Sequence, residues 1–317
     1  MVPSPPSFHR LIRQDPWLKP YQSVLARRAE KVRRTEHRLT GGKMDLADFA
    51  SGHEYFGLHG YQNQWVFREW APHATAIYLI GNMTDWKENA AYALNRIEGG
   101  QWELRMPRDA ISPGDLYRLR IHWPGGVGDR IPAWTRRVIQ DPATNIFNAQ
   151  VWHPSKPYQW RHPDFVRPKE ARYIYEVHIG MAQEEGKIGT FAEFTDKVLP
   201  RVIRSGYNTL QLMAIQEHPY YASFGYQVSS FFAPSSRFGT PEELKALIDA
   251  AHNAGLMVIM DLIHSHAVAN EVEGLSRFDG TLYQYFHEGF RGMHSAWDSR
   301  CFDYGKPEVL HFLLSNC

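Results

Sequence analysis

Three polar residues close the run Leu256–His266, LMVIMDLIHSH: Asp261, His264 and His266. A strand buried on both faces reads as a continuous apolar run, and α/β proteins place their chemistry at the carboxyl ends of such strands. Similar groups follow two earlier runs: Glu176 and His178 in ARYIYEVHIG, and Gln216, Glu217 and His218 after NTLQLMAI. Carboxylates and neutral imidazoles at such positions orient and hydrogen-bond a polar ligand. The loop after the second run, HPYYASFGYQVSSFFAPSSRFGTP, sets Tyr220, Tyr221, Phe224 and Tyr226 around Gly225. Aromatic faces beside neutral hydrogen-bonding groups suit a flat, uncharged, hydroxyl-rich ligand such as a sugar. Long ordered loops usually have a task.

The elements that must position these residues alternate. From Ala171 the order is strand, helix, strand, helix, strand, with FAEFTDKVLPRVIRSG and PEELKALIDAAHNAG as helices ending at Gly206 and Gly255. Pro241 in the first turn, acids behind it and a closing glycine mark both ends of the second helix. Successive βα units imply a parallel sheet, and no glycine-rich phosphate loop follows any strand, so a barrel is favoured over a nucleotide-binding sheet. A (β/α)₈ barrel needs about 250 residues. Residues 171–317 supply about three strands and a further helix, PEVLHFLLSNC.

Upstream, residues 1–50 hold a proline-rich start and one exposed helix from about Pro20 to Leu39, stopped by Gly41-Gly42 and packed by one face. Residues 51–152 carry short aromatic and β-branched runs between turn signals, the pattern of an antiparallel β-sandwich. Residues 153–170, with four prolines and no periodicity, read as a linker lying across a surface.

Composition excludes several classes. Lys plus Arg total 35 against 34 Asp plus Glu, so no basic field awaits nucleic acid or anionic lipid. No apolar run approaches a bilayer span and the first residues lack a signal-peptide core, so a cytoplasmic protein is expected. Cys301 and Cys317 have no metal-ligand spacing and read as reduced thiols; neither metal nor cofactor is expected.

Taken together, these motifs carry a resemblance. IYEVHIG, the segment from ASFGYQ to DLIHSHA, and FDGTLYQYFHEGFRGMHSAWDSRCFDYG look like the first half of the catalytic barrel of 1,4-α-glucan branching enzymes, in the α-amylase superfamily. DPWL near Asp15 resembles the N-terminal helix of the eukaryotic-type enzymes; FREWAP, GNMTDW, RVIQDP and FNAQVW resemble their starch-binding sandwich. The resemblance implies an N-terminal helical segment, a carbohydrate-binding sandwich and a truncated (β/α)₈ barrel. It implies transfer of glucan from α-1,4 to α-1,6 linkage in glycogen or starch synthesis, with glycogen, amylose or amylopectin as partner. By position, Tyr226 looks like the residue stacking on the sugar at the cleavage subsite, His266 like the histidine bonding that sugar's hydroxyls, and Asp261 like the supporting first-region aspartate. Ser265 stands where many amylases carry asparagine, which favours the branching subgroup. Trp297 and Asp298 are further candidates for distal sugar subsites, with a core role for Trp297 as the alternative.

Other residues have plainer readings. His264 reads as a packed histidine, and Glu176 and His178 as supports of the barrel floor and first loop. Trp86 and Trp102 are either glucan platforms or packing residues. Retaining glycoside chemistry needs two carboxylates about 5–5.5 Å apart. In the resembling family both follow the next strands, so no catalytic residue is expected before Cys317, and the chain alone is expected to be inactive. Alternatives are a non-catalytic α-glucan-binding protein and a fragment of an α-1,6 debranching hydrolase. A half barrel would also leave its third strand with an unpaired edge.

Overall fold

The structure, a computed structural model, describes residues 8–317. The proline-rich start expected at residues 1–7 lies outside the described residues. Helix α1 (Phe8–Gln14) and α2 (Gln22–Thr40) open the chain, and α2 ends where Gly41 takes a left-handed φ of 61°. The long helix stands where the sequence places it. It is more exposed than expected: Thr40 is its one buried residue and Val32 faces solvent. Short helices α3 (Leu46–Phe49) and α4 (Gly52–Tyr55) follow, α3 closed by a capping box of Asp45 and Asp48.

Two sheets then pack face to face. β1 (Gly57–Gly60), β2 (Gln64–Trp70), β4 (Asn95–Arg96) and β5 (Gln101–Pro107) form one sheet in the order β1-β2-β5-β4. β3 (Ala76–Gly81), β6 (Leu116–Trp123), β7 (Gly126–Arg130), β8 (Val138–Gln140) and β9 (Phe147–Gln150) form the other, in the order β3-β6-β9-β8 with β7 beside β6. All their pairings are antiparallel. Alternation drives the packing: Trp102, Leu104 and Met106 of β5 point inward onto Leu119 and Ile121 of β6 in one core, while Glu103 and Arg105 point out.

Residues 153–170 contain no helix or strand. They are nevertheless held. Asp249, itself 1% exposed, accepts bonds from the Tyr158 hydroxyl (2.8 Å) and from the backbone N–H of Arg161 (2.9 Å) and His162 (3.0 Å). Burial alone would raise this carboxyl, but these donors outweigh it and hold it well below the usual range.

Next come β10 (Ile174–Val177), a helical stretch, and β11 (Thr209–Leu212). The stretch joins α5 (Phe191–Glu193) and α6 (Leu199–Arg204) through a π-helical segment at Phe194–Val198. A bulged hairpin of β12 (Gln216–Glu217) and β13 (Ser230–Pro234) leads to α7 (Pro241–Asn253) and β14 (Met257–Met260). The parallel sheet runs β10-β11-β14. Its helix-facing side, Val177, Leu210 and Leu212, packs on Phe191, Phe194, Val198 and Leu247 in a second core.

The expectation that LMVIM is buried on both faces fails. Leu256 is buried, but Met257, Val258 and Ile259 are half-buried and Met260 is 42% exposed, because β14 pairs with β11 alone among the described residues. A small sheet of β15 (His266–Val268), β16 (Met293–His294) and β17 (Ser299–Cys301), and α8 (Pro307–Leu314), complete the chain.

These later elements do not join the second core. β13 and α8 pack on the sandwich, where Trp134 stacks on Phe56 (4.9 Å, 17°) and Phe232 (4.7 Å, 24°) and meets Phe312 edge-on at 5.0 Å. Asp279 binds the backbone and ring of His73, and the Gln284 amide donates to the Trp70 carbonyl. Among the described residues no helix is long and apolar enough to cross a membrane.

Candidate functional site

Parallel pairing puts Glu176 of β10, Gln211 of β11 and Ile259 of β14 in one register row. A strand alternates faces with period two, so Asp261, two residues past Ile259, continues that row just beyond the strand end. Gln211 ties the acids together: its amide donates to Asp261 Oδ1 at 3.1 Å and to Glu176 Oε1 at 3.2 Å. The Tyr226 hydroxyl donates to the other oxygen, Asp261 Oδ2, at 2.9 Å. Burial, then the Asp261 bond, push the Tyr226 phenol up to about 12, so it remains a donor across the neutral range. The result is one polar chain, Glu176–Gln211–Asp261–Tyr226, across the carboxyl end of the sheet.

Gly225 makes the Tyr226 turn possible. Its φ is +88°, and a Cβ there would lie 2.0 Å from the Ala214 carbonyl oxygen. Any other residue would collide with the end of β11 and displace Tyr226.

His266 heads β15 and is buried. Its Nε2 donates to the Tyr226 carbonyl at 2.8 Å, which leaves Nδ1 to accept from the Ser265 hydroxyl at 2.9 Å. Burial lowers its proton affinity, so the ring is neutral. With both nitrogens engaged, His266 here supports the Tyr226 backbone and presents no free donor.

Trp297 is brought to the same place. Its ring stacks on His294 (4.2 Å, 9°), lies 5.2 Å from the His266 ring, and stays 55% exposed. The Gln227 amide donates to its carbonyl at 3.0 Å, fastening the loop to the residue after Tyr226. Trp297 is therefore not a core residue. Asp298 is exposed with a left-handed φ of 44° and makes no side-chain bond among the described residues.

The remaining polar groups are structural in their contacts. Glu217 is fully buried and gathers the Ser235 hydroxyl (2.8 Å), the Ser236 N–H (2.8 Å) and the Ser236 hydroxyl (2.9 Å); burial raises its carboxyl. It braces the long loop and does not face a ligand. His218 is buried beside it, and His178 sits edge-on to Tyr221, Phe224 and Phe238 with neither nitrogen bonded. His264 Nε2 meets Asn316 Oδ1 at 2.8 Å, and the Asn316 side chain also bonds Gln216 and the Phe231 carbonyl. In the sandwich, Trp102 is 4% exposed and spends its indole N–H on the Ala71 carbonyl, so the platform reading fails for it. Trp86, half-buried, sits in a turn with a left-handed φ of 60°.

Sequence reasoning missed Gln211, the residue that joins the two acids. Its signal was present: one amide in the middle of an otherwise apolar strand, NTLQLMAI.

Comparison with known proteins places these features. Residues 55–143 match the family "Carbohydrate-binding module 48 (Isoamylase N-terminal domain)", and residues 184–285 match "Alpha amylase, catalytic domain". A 1,4-alpha-glucan-branching enzyme of Dictyostelium discoideum is 45% identical over 97% of this chain and 46% of its own length. The chloroplastic/amyloplastic 1,4-alpha-glucan-branching enzyme 2-2 of Arabidopsis thaliana is 45% identical over 100% of this chain and 40% of its own. Among solved structures, a pullulanase from Paenibacillus barengoltzii in complex with maltohexaose and alpha-cyclodextrin aligns with a TM-score of 0.68 at 17% identity, over 89% of this chain and 49% of that one. A putative alpha amylase from Salmonella typhimurium gives 0.65 at 23%, over 82% and 40%. At those identities the structural likeness shows the fold alone. The chain spans about half the length of the curated relatives it matches. Over nearly all its residues it is similar to part of the 1,4-alpha-glucan-branching enzymes, and within it one segment matches the carbohydrate-binding module 48 family and another the alpha amylase catalytic domain family.

Proposed function

We propose that this chain is the glucan-holding part of an enzyme that moves α-1,4-linked glucan chains into α-1,6 branches, and that these 317 residues bind glucan without cutting it. The supporting observation is the Tyr226–Asp261–Gln211 chain beside His266 and Trp297, at the sheet end where a barrel enzyme works. In this reading Tyr226 and Trp297 offer aromatic faces to sugar rings. Asp261 fixes the angle of the Tyr226 ring. His266 reaches the sugar by exchanging its bond to the Tyr226 carbonyl or the Ser265 hydroxyl for one to a sugar hydroxyl. Asp298, exposed and without a side-chain partner among the described residues, lies on the route of a longer glucan.

Absence of cleavage follows from chemistry. A retaining reaction sets a nucleophile and an acid on opposite sides of the scissile bond. Glu176 and Asp261 instead share one amide on the same sheet face, and Glu217 is buried beneath the loop. In the branching reading the nucleophile and acid are supplied by the next strands of the barrel. The same reading divides the chain into a helical segment (1–50), a carbohydrate-binding sandwich (51–152), a linker (153–170) and the first three strands of a barrel (171–317).

Affinity electrophoresis through amylopectin, paired with a branch-formation assay on amylose, tests both halves. The expected result is retardation with no new α-1,6 linkage. Unretarded migration overturns the glucan reading; new branches overturn the assignment of cleavage to other residues.

A further inference from the structure

A cavity of about 770 Å³ opens where β6 and β7 meet the 271–277 segment, and it shares no residue with the site above. Four guanidinium groups line it, from Arg118, Arg120, Arg130 and Arg277. Two are matched by acids. Arg120 makes a two-pronged contact with Asp129 (2.7 and 3.0 Å), and Arg277 lies 3.0 Å from Glu271.

The other two are not. Arg118 and Arg130 are 8% and 4% exposed, yet neither has a carboxylate within 4.0 Å among the described residues. Arg118 bonds the Asn148 side chain (2.9 Å) and the Phe147 carbonyl; Arg130 bonds the carbonyls of Arg277 and Asp129, both at 2.9 Å. Burial loosens the proton on each; Glu273 and Asp129 partly offset this for Arg118, and Glu271 and Asp129 for Arg130, whose charge Arg277 and Arg118 in turn oppose. Bonds to neutral oxygens satisfy the N–H groups, but the carboxylates beyond contact distance compensate the charge only in part. Two buried cations thus stand at the rim of one cavity with no carboxylate in contact, and its four guanidinium groups outnumber its three lining carboxylates, Glu88, Asp129 and Glu271.

The occupant this favours is an anion and not a sugar ring. Trp123, the aromatic residue of the cavity, has no face to offer: the Arg130 guanidinium lies 5.1 Å over its ring, and a Cβ on Gly280 would fall 2.1 Å from its Cγ. Guanidinium forks match tetrahedral oxyanions, and a phosphoryl group carries about −1.5 to −2 near pH 7, which complements two buried arginines that no carboxylate touches. We propose that this cavity binds a phosphoryl group, with Arg118 and Arg130 as its cationic clamp. Inorganic phosphate and a sugar phosphate share that chemistry.

Calorimetric titration of the 317-residue chain tests this with sodium phosphate, glucose 6-phosphate and glucose, against sodium chloride at equal ionic strength. Saturable phosphate binding is expected, weakened at least tenfold in R118Q. Tighter binding of glucose 6-phosphate than of phosphate and of glucose assigns the site to a sugar ester; equal binding of the two phosphates assigns it to the free anion. Because Arg118 is buried, a rim variant provides an arm that leaves the clamp in place. E271Q removes a negative charge and releases Arg277, so phosphate should bind several-fold tighter. Phosphate giving no more heat than chloride, or an unchanged phosphate affinity in E271Q, overturns the proposal.

Discussion

The sandwich and the parallel sheet solve the same problem to different degrees. In the sandwich, the main strands face a partner sheet across the core, and their inward apolar side chains are almost wholly enclosed: Phe67, Leu79, Leu119 and Ile121 show no exposure. The β10-β11-β14 sheet is enclosed on its helix side only. Leu210 and Leu212 of the central strand are fully buried on that side, while Ile174 on the open face is 44% exposed, and Met260, in the row of Leu212 but on the outer strand, is 42% exposed. Polar chemistry follows that division. The sandwich interior keeps its acid, Glu69, sealed between the backbone N–H groups of Trp70 and Ala133, whereas the sheet's acids, Glu176 and Asp261, line up on the open side. A closed core can store a buried carboxyl group; an open sheet end can present one.

The hardest blow to this contrast is at the residue that belongs to both sides of the sandwich boundary. Trp134→Ala removes the ring between Phe56, Phe232 and Phe312, and should cost about 3–5 kcal/mol in urea denaturation. The loss should appear in sandwich and α8 probes together. If only one responds, the shared core is not a cooperative unit.

Next in size is a pH effect from the sealed acid. Burial pushes Glu69 up to about 8, against about 4.5 when unfolded, so the folded state holds a proton the unfolded state has released. Stability therefore falls as pH rises through that window. Below about 6.5 the buried histidines, whose proton affinities burial lowers, oppose this trend. Between pH 6.5 and 8 the acid dominates, and roughly 2 kcal/mol should be lost by calorimetry. Stability that rises over that interval would mean that Glu69 is ionised in the fold.

Smaller again is Tyr226→Phe, which deletes the hydroxyl bond to Asp261. About 1 kcal/mol of stability should go, with glucan retardation in amylopectin gels reduced several-fold. Retention equal to wild type would separate the polar chain from glucan binding. The least costly change is Met260→Lys on the outer strand, expected within ~0.5 kcal/mol of wild type. Its effect should be on association: light scattering of the wild-type chain should rise with concentration through the unpaired β14 edge, and the lysine should suppress it. A wild-type chain that stays monomeric throughout would show that the open edge is not sticky.

Much of the fold was legible because period and punctuation agreed. The helix from Pro241 was readable from its proline, its acids and Gly255, and the sandwich from aromatic alternation between turns. What escaped notice was non-local. Nothing in PEVLHFLLSN indicates that its helix packs on Trp134 and not on the parallel sheet, since an apolar stripe does not name its partner. The same holds for the site. The motif names Tyr226, Asp261 and His266 as candidates and the fold brings them together, but the bond that occupies His266 Nε2 depends on where the Tyr226 carbonyl lands. Glu217 and Asp261 look alike as acids after a strand; only burial tells the sealed brace from the half-buried group at the sheet end.

The seam at Trp134 also fixes an order of events during synthesis. Phe56 and Trp134 leave the ribosome long before Phe232 and Phe312, which cover them. At ~5–20 residues per second the sandwich waits on the order of 10–40 s with an apolar patch bare. For that interval the nascent chain is a client for a chaperone, and a pause in translation between the linker and α8 would lengthen its exposure.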